Sequence, residues 1–193
     1  LCRQILLQKP KTLILYDISE YALYSIEGEL QKIRDRSSVS VQIVPVIGSV
    51  QRASRLISTI EEHAVETIYH AAAYKHVPLV EENIVEGVLN NVFGTLAVVN
   101  ASHELAVDNF ILVSTDKAVR PTNVMGAKKR IAELICQSFA EKKTATTFSM
   151  VRFGNVLGSS GSVIPRFRKQ IEEGGPITVT HREINRYFMT IPE

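Results

Sequence analysis

Short apolar runs of strand length alternate along this chain with stretches of helical periodicity, and that alternation restricts it to parallel strands with helices on both faces. The strand candidates are Thr12 to Tyr16, Val39 to Val46, Glu66 to Tyr69, Phe110 to Ser114 and Thr147 to Phe153. Between them, Glu20 to Arg34 sets Leu23, Ile26, Leu30 and Ile33 at helical spacing, and Gln51 to Glu62 repeats the pattern with Leu56, Ile57 and Ile60. Asn91 to Ala106 and Asn123 to Lys142 read as longer helices. The second is expected to bury Ile131, Leu134, Ile135 and Phe139 and to turn Lys128, Lys129, Arg130 and Glu133 elsewhere. A doubly wound, Rossmann-like α/β sheet is the expected fold.

A chain of 193 residues can bury one substantial core, and 45% apolar with 22% charged residues is ordinary globular usage. Lys and Arg total 22 against 20 acidic residues, so no excess charge is left to condense on a nucleic-acid backbone, and nucleic acid is not an expected partner. Cys2 and Cys136 fit neither a zinc cluster nor a disulfide framework, so no metal and a reducing compartment are expected. Apolar runs such as Phe110 to Val113 are strand-sized, and no segment is expected to reach the length of a membrane helix. Leu1 to Leu7 opens within an amphipathic pattern without a cap, which raises the expectation of further chain upstream.

After Phe153 the texture shifts to Gly, Ser and Pro, through Gly154, Gly158, Ser159, Ser160, Gly161, Pro165, Gly174, Gly175 and Pro176. Residues 1–153 are therefore expected to form a nucleotide-binding unit, and 154–193 the start of a substrate-facing lobe.

In open α/β sheets the ligand lies outside the carboxyl ends of the strands. Asp17 closes the first visible strand, Gly48-Ser49-Val50 follows the second and His70 to His76 the third. Ser114-Thr115-Asp116-Lys117 follows the fourth, and Gly154-Asn155 the fifth. A carboxylate at such a strand end can accept both hydroxyls of an adenosine ribose and repels a 2′-phosphate, which favours NAD over NADP. Asp17 can equally cap the helix that follows. The Gly-rich phosphate loop expected about 20 residues earlier would lie ahead of Leu1. Gly154, Gly158 and Gly161 are not read as that loop, because no acid-ended strand follows at the required distance.

Asp116 beside Lys117 pairs a carboxyl with an amine able to move protons, or else forms an exposed turn before Pro121. Lys129 on the next helix is either solvated or part of the site. His70 and His76 lack partners at metal-ligand spacing, and Ser114 with His70 lacks the third member of a triad.

Several segments together carry a family resemblance. They are Asp17-Ile18-Ser19-Glu20-Tyr21-Ala22-Leu23-Tyr24, His70-Ala71-Ala72-Ala73-Tyr74-Lys75-His76-Val77-Pro78, Asn91-Val92-Phe93-Gly94-Thr95, the run Ser114 to Lys129, Arg152-Phe153-Gly154-Asn155-Val156-Leu157-Gly158-Ser159 and Arg186-Tyr187-Phe188-Met189-Thr190. With them the chain resembles extended short-chain dehydrogenase/reductase enzymes, specifically the bacterial UDP-sugar 4,6-dehydratases of the CapD/WbpM type used in capsule and O-antigen synthesis. The resemblance implies that the first strand and Gly-rich loop precede residue 1 and that more of the sugar-binding lobe follows Glu193. Long members carry an N-terminal membrane region, which would anchor the intact protein at a bacterial inner membrane with this domain in the cytoplasm. A homo-oligomer is the expected assembly, and the 193-residue piece alone is expected to have weak activity or none.

By the same resemblance, Asp17 would bind the adenosine ribose, and Ser49-Val50 would approach the adenine, although many relatives have Asp where Ser49 stands. Ala71 and Lys75 would line the cofactor NAD, with Lys75 also reaching the substrate. Lys129 would hold the nicotinamide ribose, and Asn155 and Val163 would face the UDP-sugar, UDP-N-acetylglucosamine by family. Lys117 would remove the C5 proton, Asp116 would protonate the departing C6 hydroxyl, and Thr115 would bond near O4. Met125 stands where most extended relatives have Tyr, and a thioether cannot take a proton from the C4 hydroxyl. Gly126 beside it would keep the helix surface open. The rival readings are a UDP-sugar 4-epimerase, which has no need of the Asp116-Lys117 pair, and a non-catalytic nucleotide-sugar binding module.

Overall fold

Thr12–Asp17 (β1) and Gln42–Ile47 (β2) pair in parallel, with Thr12 opposite Gln42 and Asp17 opposite Ile47. The computed structural model describes residues 1–37, 39–142, 144–158, 163–179, 182–183, 185 and 187–190. Ser159, Ser160, Gly161 and Arg186 of the motifs above lie outside the described residues. Between β1 and β2 runs α2 (Glu20–Ser37), begun by Ser19, whose hydroxyl accepts the Ala22 N–H at 3.2 Å. Leu23 and Leu30 of α2 close over Leu13 and Leu15 of β1, and Leu6 of the short helix α1 (Cys2–Leu7) completes this cluster. Burial of each such Leu contributes about 2 kcal/mol. β2 starts later than its composition suggests, since Val39 and Val41 are buried in that cluster ahead of the strand.

A second sheet holds β3 (Thr67–His70), β4 (Asn109–Thr115) and β5 (Thr147–Phe153), all parallel and in that order. The Rossmann-like alternation of parallel strands and covering helices is thus present, but its ladder is in two parts. Among the described residues no ladder joins β1 to β3. The main core lies around β4, where Phe110 and Leu112 pack with Phe148, Val98, Val99, Ala132 and Cys136. Tyr16 and Val50 from the first sheet reach this cluster, and α3 (Ala53–Glu62) packs on α6 (Gly94–Glu104), so the two parts are joined.

α4 (Val77–Glu82) and α5 (Ile84–Val88) follow β3, and a π-helical turn, Leu89–Phe93, leads into α6. The helical run Ile84–Glu104 is 21 residues long and apolar enough to cross a membrane by length and composition. The expectation that no segment reaches that length is corrected here. Apolar strand runs hid it, because Asn90, Asn91, Thr95 and Ser102 interrupt the helical one in sequence. Its Val92, Val98, Val99 and Ala101 are buried.

α7 (Val124–Ala140) departs most from its periodicity. Ile131 and Leu134 are 43% and 47% exposed, whereas Lys128, Lys129 and Glu133 are buried with Met125, Ala132, Cys136 and Phe139. The charged residues turn inward because each finds a polar partner there, which the burial of a charge requires. After β5, Asn155–Val156 (β6) pairs in parallel with Phe188–Met189 (β7), and α8 (Val163–Glu172) lies between them in sequence.

Candidate active site

Parallel pairing brings the carboxyl ends of β3, β4 and β5 to one edge. There the chain leaves β4 through a single 3-10 turn, Asp116–Ala118. Lys117 Nζ donates to Asp116 Oδ1 at 3.0 Å, and the Thr115 hydroxyl donates to the same oxygen at 2.8 Å. Asn155, just past β5, accepts from Lys117 Nζ at 3.4 Å through Oδ1 and donates through Nδ2 to the Tyr187 carbonyl at 3.1 Å. Thr115, Asp116 and Lys117 thus form one hydrogen-bonded group with Asn155, which is 38 residues further along the chain. Burial pushes the Asp116 carboxyl upward, but the bonds from Lys117 and Thr115 outweigh it and hold the group below its ordinary pKa.

Gly126 is what lets this turn lie on α7. A Cβ on Gly126 would stand 2.5 Å from the Lys117 carbonyl oxygen and 3.3 Å from Pro121 Cβ. Rather than opening the helix surface, its lack of a side chain admits the backbone of the turn. Asn123 caps α7 by accepting the Gly126 N–H at 2.8 Å, and Glu81 of α4 accepts the Val124 N–H at 2.7 Å.

Lys129 is 9% exposed, so it is not a solvated surface lysine, and its Nζ donates to the Val113 carbonyl at 2.9 Å. Burial pulls its pKa down to about 8, against the opposing influence of Glu133. Met125, one turn earlier on the same face, is 5% exposed. His70 is also buried, and its Nε2 meets Thr95 Oγ1 at 2.9 Å. Because the Thr95 hydroxyl donates to the Asn91 carbonyl at 2.8 Å, Nε2 is the donor in the His70 contact. Burial, with Lys129 nearby, lowers the His70 pKa to about 3 and keeps the ring neutral. Neither His70 nor Ser114 forms part of a triad.

Most of the other candidates follow the carboxyl ends of β1, β2 and β3. Asp17 is exposed at the end of β1, and its Oδ1 accepts the Ser19 N–H at 2.8 Å, so it does support the start of α2. Its Oδ2 has no hydrogen-bond partner among the described residues and is open to an external donor. Ser49 is fixed by the Tyr16 hydroxyl, which donates to its carbonyl at 3.1 Å, while its own Oγ accepts the Gln51 N–H at 3.2 Å. Val50 is buried in the core with its side chain against Gly94. Ala71 and Lys75 are exposed in the segment after β3. Val163 opens α8 and is 40% exposed, outside the hydrogen-bonded group around Lys117.

Two features carry no simple sequence signal. Asn91, in the π-helical turn, accepts the Tyr74 N–H at 2.8 Å and donates to the Tyr74 carbonyl at 2.9 Å, clamping the segment that carries Ala71 and Lys75. Glu133 is fully buried and takes bonds from Ser114 Oγ at 2.7 Å, from Arg152 Nε and a terminal nitrogen at 2.7 Å each, and from Arg130 at 2.9 Å. These bonds hold its pKa down to about 2 despite burial.

A family model described as "Polysaccharide biosynthesis protein" matches residues 1–193. The chain belongs to this family. Among its relatives, the Capsular polysaccharide biosynthesis protein CapD of Staphylococcus aureus is 51% identical over 193 residues, which are 100% of this chain and 32% of that protein. The chain therefore spans about a third of that relative's length. A UDP-glucose 4-epimerase of Rickettsia rickettsii (strain Sheila Smith) is 33% identical over 94% of this chain and 53% of its own length. Of solved structures, Pen from Bacillus thuringiensis superposes with a TM-score of 0.86 at 37% identity, covering 98% of this chain and 56% of that one. A double mutant of DesIV, a dTDP-glucose 4,6-dehydratase from Streptomyces venezuelae, with NAD bound, has a TM-score of 0.80 at 19% identity over 97% of this chain and 63% of its own, which establishes a shared fold.

Proposed function

We propose that the intact protein is an NAD-dependent nucleotide-sugar 4,6-dehydratase, converting UDP-N-acetylglucosamine to a UDP-4-keto-6-deoxy-N-acetylhexosamine for bacterial surface polysaccharide synthesis. The observation that carries this reading is the Asp116–Lys117 pair, bonded at 3.0 Å with Thr115 and Asn155 at the strand ends. An epimerase moves a hydride and the O4 proton but breaks no bond at C5 or C6, so it has no use for a base at C5 beside the acid.

NAD, when bound, would supply the hydride acceptor for sugar C4 and the hydride donor for C6. Asp17 would hold the adenosine ribose through its free oxygen, with Ser49, the Val50 backbone, Ala71 and Lys75 along the rest of the cofactor. Lys129 would bond the nicotinamide ribose after leaving the Val113 carbonyl. Met125 cannot take the O4 proton, but Asp116 starts as a carboxylate and can take it, directly or through Thr115. Oxidation at C4 acidifies the C5 proton, which Lys117 removes as the neutral amine, its resting ammonium having first released a proton to solvent, and the same group returns a proton to C5 once the hydride has reached C6. Asp116, now carrying the O4 proton, gives it to the departing C6 hydroxyl. The lowered Asp116 pKa supports this order, because a group that begins ionised must gain a proton before acting as an acid. Asn155 would orient the sugar beside Lys117, and Val163, at the start of the substrate lobe, would line the nucleotide side.

In its cell the protein would act at the cytoplasmic face of the inner membrane, as a homo-oligomer. Incubating the full-length protein with UDP-N-acetylglucosamine and NAD should yield a 4-keto-6-deoxy sugar. UDP-N-acetylgalactosamine as the sole product would establish the epimerase reading, which the Rickettsia relative favours. Lys117→Ala should abolish product and deuterium uptake at C5 while the bound NAD still becomes transiently reduced. Absence of that reduction in the wild type would favour the non-catalytic module.

A further inference from the structure

Consecutive turns of α7 grip consecutive residues of β4. Lys129 Nζ bonds the Val113 carbonyl, and Glu133 accepts the Ser114 hydroxyl at 2.7 Å, directly ahead of Thr115-Asp116-Lys117. The same carboxylate receives Arg152 through two bonds of 2.7 Å, and Arg152 lies on β5 three residues before Asn155. One fully buried group therefore ties together the helix that carries Lys129, the strand that delivers the Asp116–Lys117 pair and the strand that delivers Asn155. A planar guanidinium in a fork with a carboxylate fixes direction as well as distance. Core packing alone would be served by an apolar side chain at this position, without the cost of desolvating a charge.

We propose that Glu133 is a positioning residue of the active site, setting the mutual placement of Asp116–Lys117, Asn155 and Lys129. The proposal rests on the dehydratase reading for its kinetic consequence but not for its electrostatic one. The charged or titratable groups facing Lys129 and Glu133 are Arg130 and Cys136 on α7, Arg152 from β5 and the neutral His70 from β3. Removing the Glu133 charge would take away the carboxylate that favours the Lys129 ammonium, and the buried lysine would lose protons more easily.

The test uses the full-length protein with Glu133→Gln, Glu133→Asp and Ser114→Ala. Glu133→Gln should retain NAD binding and sugar KM while kcat falls at least about tenfold, the loss expected when reacting groups are displaced by fractions of an ångström. Glu133→Asp should recover part of it. In NMR titrations with ¹³Cε-labelled lysine, the Lys129 midpoint should fall by about one pH unit in Glu133→Gln. A folded Glu133→Gln protein with wild-type kcat and an unmoved Lys129 midpoint would overturn the proposal. If that variant does not fold, Ser114→Ala, which cuts only the link to β4, should still lower kcat several-fold at unchanged KM, and wild-type kcat there would overturn it. Wild-type protein that forms no 4-keto-6-deoxy sugar would sink the dehydratase reading instead, and the Lys129 titration would continue to report on Glu133.

Discussion

Charges buried on α7 set much of the pH response of this molecule. Glu133 has its pKa lowered to about 2 by Arg152, Ser114 and Arg130, so its contribution to stability is complete above its ordinary value and is lost as pH falls toward 2. His70, lowered to about 3 by burial, acts in the same direction: the unfolded ring gains a proton near its ordinary value and the folded one does not, so stability drops as pH falls from about 6.5 toward 3. Urea midpoints measured from pH 7 to pH 4 should therefore decline steadily, with the upper part of that slope due to His70. In His70→Gln the slope between pH 6.5 and 5 should flatten, and an unchanged slope would remove His70 as its source. Glu133→Gln should cost about 1 kcal/mol at pH 7, less than for a fully buried pair because the Arg130 and Arg152 side chains it would leave are 39% and 40% exposed.

At the scale of elements, α7 shows both what the sequence revealed and what it concealed. Strand ends were legible because a polar residue after an apolar run marks where a strand meets solvent or ligand, and Asp17, Thr115 to Lys117 and Asn155 all stand at such ends. The inward face of α7 was not. Periodicity assigns apolar residues to the core and charged ones to water, and it cannot register that Lys129 and Glu133 find a carbonyl and a guanidinium across the helix–sheet boundary. The Asn91 clamp was hidden for a related reason, since a π-helical turn shifts register by one residue and moves a polar side chain to a face that 3.6-residue spacing would not assign. Gly126 gives the element-scale prediction. Gly126→Ala sets a Cβ 2.5 Å from the Lys117 carbonyl, so the turn must move, at about 1–3 kcal/mol of stability and with a larger fractional loss of activity. Gly28→Ala in α2, where a Cβ meets nothing within 4 Å, should instead stabilise by about 1 kcal/mol and leave turnover unchanged. Equal effects of the two substitutions, in thermal melts and assays run together, would refute the close-approach argument.

Across the whole molecule the functional groups divide between the two parts of the sheet. Asp17 and Ser49, at the ends of β1 and β2, would hold the adenosine, while Lys117, Asn155 and Lys129 belong to the part built on β4 and β5. A dinucleotide held as proposed would span both, so its affinity would depend on how rigidly the parts are held together. In this chain that link consists of side-chain packing, by Tyr16 and Val50 against the main core and by α3 against α6, with no backbone ladder between β1 and β3 among the described residues. Packing without a ladder leaves strand amides open to solvent and the relative position of the parts soft. The 193 residues expressed alone should therefore bind NAD far more weakly than the full-length protein, by at least about a hundredfold, and show little turnover. Hydrogen exchange should find the amides of β4, flanked on both sides, protected well beyond those of β1 and β3 in the isolated chain. In the full-length protein a strand laddered to both β1 and β3, in the place the doubly wound order gives its first strand, should raise the protection of both together with the affinity for NAD. Full-length-like NAD affinity in the isolated chain would mean that side-chain packing alone fixes the two parts, and that the open ladder has no bearing on cofactor binding.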